Sequence, residues 1–210
     1  MNPRAVHTPT PATSTVGVFT LRTLGWLPLA FAVWYFTAPL LVAPAVLIVR
    51  VLVRLGFSDI VRTVEQSGGI ATFVTTLRPG GAALIGVVTV DVNLLLYSFG
   101  LPLFAALTLA ARERAWRRHL VVGYVVLQPF IAWGALADFL KNVAITAGPA
   151  VASQAGFSAW QRETIAFAFQ FGSLILPAVA PAVLWVAMHD RFLSGLRRRP
   201  ASQASATPRR

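Results

Sequence analysis

The sequence predicts an all-α membrane protein, a four-helix transmembrane bundle with a small extracytoplasmic β-hairpin between helices 1 and 2. Three observations lead there. Only 12% of the 210 residues are charged and 56% are hydrophobic, whereas ordinary soluble domains carry roughly 25% charged residues. Mean hydropathy is +0.68. Four runs, residues 24–49, 94–111, 120–139 and 165–188, are almost free of charge. A bilayer core of about 30 Å needs about 20 such residues in a helix.

Taken in order, residues 1–20 read as a disordered tail, 21–196 as the transmembrane domain and 197–210 as a second, basic tail. The first run exceeds the roughly 7–15 apolar residues of a signal peptide, so it is expected to remain as a span. The second run is short. The third is interrupted near its end by Asp138, and the fourth is uncharged. Lipid offers no partners for open backbone groups and four runs are too few for a closed barrel, so the spans must be helices. Pro28, Pro39, Pro44, Pro102, Pro129, Pro177 and Pro181 lie within them. Each removes a helix hydrogen bond and favours a kink. Pro177 and Pro181, four apart, share one face.

Orientation follows the bias of short loops in arginine and lysine. The first tail and run-up hold Arg4 and Arg22, the link between spans two and three holds Arg112, Arg114, Arg117 and Arg118, and the stretch after span four holds six more arginines, Arg191, Arg197, Arg198, Arg199, Arg209 and Arg210. Only Glu113 and Asp190 oppose them on that side. On the other side Arg50, Arg54, Arg62, Arg78, Lys141 and Arg162 nearly balance Asp59, Glu65, Asp91, Asp138 and Glu163. The expectation is a multi-pass inner-membrane protein with both termini cytoplasmic and loops 50–93 and 140–164 outside.

In the first outer loop, Arg50, Arg54, Ser58 and Arg62 recur every four residues opposite apolar positions, which predicts an amphipathic helix ended by Gly68 and Gly69. Its arginines are candidates for binding lipid phosphate or a partner's carboxylate, and snorkelling to the interface is their simpler role. Residues 70–77 and 82–92 are rich in β-branched side chains and flank an Arg-Pro-Gly-Gly turn signal, so residues 70–92 read as a hairpin. A lone hairpin is marginal in water, so it must pack on the bundle or on a partner. In the second outer loop, Ser158 and Gln161 have capping-box spacing and should start the fourth helix.

Chemistry-bearing residues are few. There is no cysteine, which excludes disulfides and thiolate chemistry. The histidines, His7, His119 and His189, show no HExxH-type spacing, so no metal and no cofactor are expected. The net charge of +11 sits in arginines beside apolar runs, which leaves no soluble basic face for nucleic acid. Asp138 and Lys141, three apart, can pair on one helix face. Gln128 and Gln170 lie inside spans and suit interhelical hydrogen bonds. Asp91, Tyr97 and Arg162 are candidates for an outward cleft. No nucleophile elbow, paired catalytic carboxylates or phosphate loop is present, so no enzyme is expected.

The phrases at residues 26–41, 92–107, 128–144 and 169–187 together resemble the exosortase H-associated membrane protein family over about residues 20–195. The resemblance implies an accessory role beside an exosortase, a multipass transpeptidase that uses Cys, Arg and His on C-terminal sorting tails. Lacking cysteine, this chain is not such an enzyme itself, and the family supplies no catalytic residues to carry over. The expected partners are membrane lipids and an exosortase or associated membrane protein. The alternative is a small transporter or channel subunit using Asp138, Lys141 and Gln128.

Overall fold

The first apolar run folds as helix α1 (Thr15–Gly56) in a computed structural model that describes residues 15–79 and 86–190. The 42 residues of α1 reach about 63 Å at 1.5 Å per residue, twice the thickness of a bilayer core. Its buried stripe, Ala38, Val42, Ala45, Val46, Val49 and Val53, repeats at three and four residues and occupies the second half. In the first half Leu21, Leu29, Val33 and Phe36 are exposed. Apolar surface of this extent is penalised by water and accepted by lipid. The expected tail 1–20 already turns helical at Thr15; residues 1–14 and the tail 197–210 lie outside the described residues.

After α1 comes a three-stranded antiparallel sheet in the order β1 (Val61–Ser67), β2 (Ile70–Thr75), β3 (Thr89–Asn93). The two segments expected as a hairpin do pair, with Thr72 opposite Asp91 and Phe73 opposite Val90. The second strand is shorter than expected, and the tip at 80–85 lies outside the described residues. Two further expectations are corrected. The amphipathic helix stops at Gly56, and Arg62 lies on a strand. Gly68 and Gly69 form the tight turn of a β1–β2 hairpin, not a helix stop. Gly68 has φ +61°, as the first central position of a type II′ turn requires. A bulge between Val61 and Thr63 explains the misreading. It leaves the buried residues of β1, Val61 and Val64, three apart, which imitates helical spacing.

The remaining chain is helical: α2 (Leu95–Ser98), α3 (Gly100–Ala111), α4 (Trp116–Lys141), α5 (Pro149–Ala155), α6 (Ala159–Gln170) and α7 (Leu176–Met188). Wider π turns extend α4 through Thr146 and join α6 to α7. The second of these sits just before Pro177, whose missing N–H cannot continue an ordinary helix ladder. The stretches Val16–Gly56, Trp116–Thr146 and Ala159–Met188 are long and apolar enough to cross a membrane. The second expected span is the shorter apolar helix Leu95–Ala111, so three of the four expected spans are long enough to cross. The second outer loop contains α5. Ser158 and Gln161 form the predicted capping box at the head of α6.

Contacts fix the two ends of the bundle. At one end Phe19 of α1 stacks on Trp185 of α7 at 5.4 Å, and His119 of α4 meets His189 just after α7. At the other, Phe73 of β2 stacks on Phe139 of α4 at 4.3 Å with a 10° angle between rings. Both rings are fully buried. Ala71, Phe73, Thr75, Val90 and Val92 form the sheet's buried face, following the two-residue period of a strand. Gln154 of α5 exchanges two hydrogen bonds of 3.0 Å with the backbone of Arg78. Between the ends, Gly100 lets α3 approach α7: a Cβ there would strike the carbonyl of Pro177 and lie 2.8 Å from Cγ of Pro181. The two prolines therefore share one face, as predicted, and that face is a packing surface.

Replacing Phe73 by Ala should cost about 3–5 kcal/mol, the usual price of an emptied aromatic site. Hydrogen exchange should then show the amides of β2 and β3 losing protection while those of α4 keep theirs.

Candidate functional site

Arg50 and Arg54 sit one turn apart at the end of α1 and so share a face. The chain then reverses. Phe57 N–H donates to the Val53 carbonyl at 2.8 Å, and Val61 N–H donates to the Phe57 carbonyl at 2.9 Å. This reversal brings Arg62, on β1, back beside the helix. The three predicted arginines thus line one cavity of about 600 Å³, together with Ser58, Glu65 and Thr76. They converge by a helix, a turn and a strand instead of one continuous helix.

Their roles differ. Arg50 is half-buried, and its Nε donates to the Val64 carbonyl at 2.8 Å, which ties α1 to β1. Arg54 and Arg62 are exposed, and neither has an ion-pair partner among the described residues. Glu65 is the one acid in the lining. Planar guanidinium groups converging on a cavity with so little opposing charge suit a carboxylate or a phosphate.

A second group of polar residues gathers where α4 meets α6. Lys141 Nζ lies 3.1 Å from Asp138 Oδ1, the pair expected from spacing. Asn142 donates to the same oxygen at 3.0 Å and to the Asp138 carbonyl at 2.9 Å. The Lys141 ammonium also lies over the ring of Phe169 at 4.3 Å. Tyr97 packs its ring on Gly134, one turn before Asp138, and its hydroxyl faces the Asp138 carboxylate. Gln128 donates to the Leu41 carbonyl at 3.2 Å, beside Tyr124, which donates there at 3.1 Å. That carbonyl lies in the turn of α1 that Pro44 disrupts. Asp138, Lys141 and Asn142 engage one another along α4, and Gln128 and Tyr124 tie α4 to α1, although Gln128 Oε1 is buried without a hydrogen-bond partner among the described residues. Gln170 is exposed and makes no side-chain hydrogen bond among the described residues.

The expected cleft of Asp91, Tyr97 and Arg162 does not form. Val90 and Val92 are buried, so strand alternation turns Asp91 outward, where it accepts from Thr72 at 2.6 Å. Tyr97 is buried. Arg162 is exposed and lines a separate depression beside Glu163.

One constellation escaped sequence reasoning. Glu113, His119 and His189 bring three ligand-type atoms within 4.8 Å of one another. Burial pushes the His189 imidazole below its ordinary range. Seventy residues separate the two histidines, so no local motif marks them, and only the meeting of α4 with the end of α7 makes the pair.

A family model described as exosortase H-associated membrane protein matches residues 13–192. No curated protein matches, and no solved structure does.

Replacing Arg50 by Ala should destabilise the protein by about 1.5–3 kcal/mol, because a hydrogen bond from a charged group is lost. Replacing Arg54 or Arg62 by Ala should change stability by no more than about 0.5 kcal/mol. Thermal unfolding in detergent checks both.

Proposed function

Since the chain belongs to the exosortase H-associated membrane protein family, we propose that it is a non-catalytic accessory protein of an exosortase-type sorting system. In this reading it sits in the inner membrane and meets its partner through its outer loop. The observation that carries the proposal is the arginine cavity. Arg54 and Arg62 are exposed, have no ion-pair partner among the described residues and share their cavity with a single acid, Glu65, the arrangement expected of a surface that receives a carboxylate from a membrane partner. The absence of cysteine supports an accessory role, since the transpeptidase chemistry of an exosortase needs a thiolate.

The same reading gives the chain four crossings, with both termini cytoplasmic and the sheet outside. Helix α1 has about 24 residues, or about 36 Å, before Gln66 of β1 meets it at the Pro39 carbonyl. Leu95–Ala111 runs back beside that stretch, where Trp34 donates to Ser98 at 3.2 Å. Arginine is dense on the link between α3 and α4, as on a cytoplasmic face. A transporter reading would need Asp138, Lys141 and Gln128 free. Asp138 and Lys141 pair with each other along α4, and Gln128 donates from α4 to the Leu41 carbonyl of α1, which favours the accessory reading.

Crosslinked purification from native membranes should recover an exosortase. Recovery should fall about tenfold or more when Arg54 and Arg62 are both replaced by Glu, at unchanged protein level, since each lost charged contact is worth roughly 1.5–3 kcal/mol. Undiminished recovery of the exosortase would place the contact elsewhere. Loss of anionic-vesicle binding alone would assign the arginines to lipid phosphate.

A further inference from the structure

We propose that Glu113, His119 and His189 form a binding site for a divalent transition metal of the zinc class, which clamps the link between α3 and α4 to the end of α7.

The donor atoms already converge. His119 Nδ1 lies 3.2 Å from His189 Nε2 and 3.6 Å from Glu113 Oε2. In a tetrahedral site with bonds of about 2.0–2.2 Å, neighbouring ligand atoms stand about 3.3–3.5 Å apart. Both separations lie close to that edge length, and all three atoms lie within 4.8 Å of one another, so the Glu113–His189 edge is the one that must close when an ion enters.

The orientation of His189 is set from behind. Its ring is fully buried and its Nδ1 lies 3.0 Å from the Trp185 carbonyl. A carbonyl only accepts, so Nδ1 carries the proton and Nε2 turns its lone pair toward His119 and Glu113. Metal-ligating histidines are held in this way, the second ring nitrogen donating to a backbone carbonyl or carboxylate. The Trp185 ring stacks on His189 at 4.9 Å and on Phe19 of α1 at 5.4 Å, which limits rotation of the imidazole and shields that side of the site. Without metal, His119 Nδ1–H donates to His189 Nε2. On binding, His119 adopts the tautomer protonated at Nε2 and frees Nδ1 for the ion.

Two imidazoles and one carboxylate select among cations. Calcium and magnesium prefer oxygen ligands alone, and nitrogen with carboxylate suits zinc, cobalt, nickel or copper. The described residues supply three ligands, so a water takes the fourth position. Arg112, Arg114, Arg117 and Arg118 flank Glu113 and His119, but all are exposed, and solvent screens them.

The site is distinct from the arginine cavity, which lies at the other end of the bundle beside the sheet, so the proposal stands whether or not an exosortase is the partner. The test uses the full chain without a polyhistidine tag, purified in detergent, stripped with a chelator and titrated with Co²⁺. One cobalt per chain with the visible bands of a tetrahedral nitrogen and oxygen site is expected, and Zn²⁺ should displace it. His119→Ala and Glu113→Gln, both at partly exposed positions, should keep the wild-type circular dichroism and weaken binding about 10–100-fold or more. The proposal is overturned if the wild type shows no such bands, or if either variant retains its spectrum and affinity.

Discussion

A three-stranded sheet with one apolar face cannot stand alone in water, and here that face closes over the ends of α1 and α4. The Phe73–Phe139 stack at 4.3 Å is its centre, and Ala71, Val90 and Val92 complete the burial. Everything at that end of the molecule follows from this docking. It holds β1 alongside α1, so that Arg50 reaches the Val64 carbonyl and Arg54 and Arg62 face a common cavity. It also positions the segment after β2 for Gln154 of α5 to grasp at Arg78. The apolar remainder of α1 is left for lipid.

Most polar groups inside the bundle follow the complementary rule that lipid supplies no hydrogen bonds, with Thr108 Oγ1 and Gln128 Oε1 buried without a partner among the described residues. Gln128 and Tyr124 answer a carbonyl next to a proline-disrupted turn. Asp138, Lys141 and Asn142 answer one another. Small residues do the rest: Gly100 admits the prolines of α7, and Gly134 admits the ring of Tyr97. The charged clusters lie at the two ends of the bundle, a cationic cavity beside the sheet and a histidine–carboxylate cluster at the opposite rim.

Much of this was legible in the sequence where a single period decides the outcome. Uncharged runs marked the helices, β-branched density marked β2 and β3, and Ser158 with Gln161 marked the head of α6. The pairing of Asp138 with Lys141 needed only helical spacing. What failed needed tertiary information. The bulge in β1 gave Val61 and Val64 a helical interval, so a strand looked like the continuation of α1. The three arginines line one cavity, but their convergence depends on a chain reversal that periodicity cannot express. Asp91 and Tyr97 are close in sequence yet face different surroundings, because one sits on the outer face of a strand and the other inside the bundle. The histidine cluster joins residues from two distant helices, and only packing brings them together.

The sheet and the link between α3 and α4 lie on opposite sides of the membrane only if Leu95–Ala111, short as it is, is a true crossing. The natural chain has no cysteine, so single cysteines can be labelled without background. With a membrane-impermeant maleimide on intact spheroplasts, Ser58→Cys and Ser153→Cys should react, and Ala115→Cys should react only after the membrane is opened. Equal labelling of Ser58→Cys and Ala115→Cys from outside would contradict this arrangement, because the second helix would then not cross and the two ends of the bundle would not be separated by the bilayer.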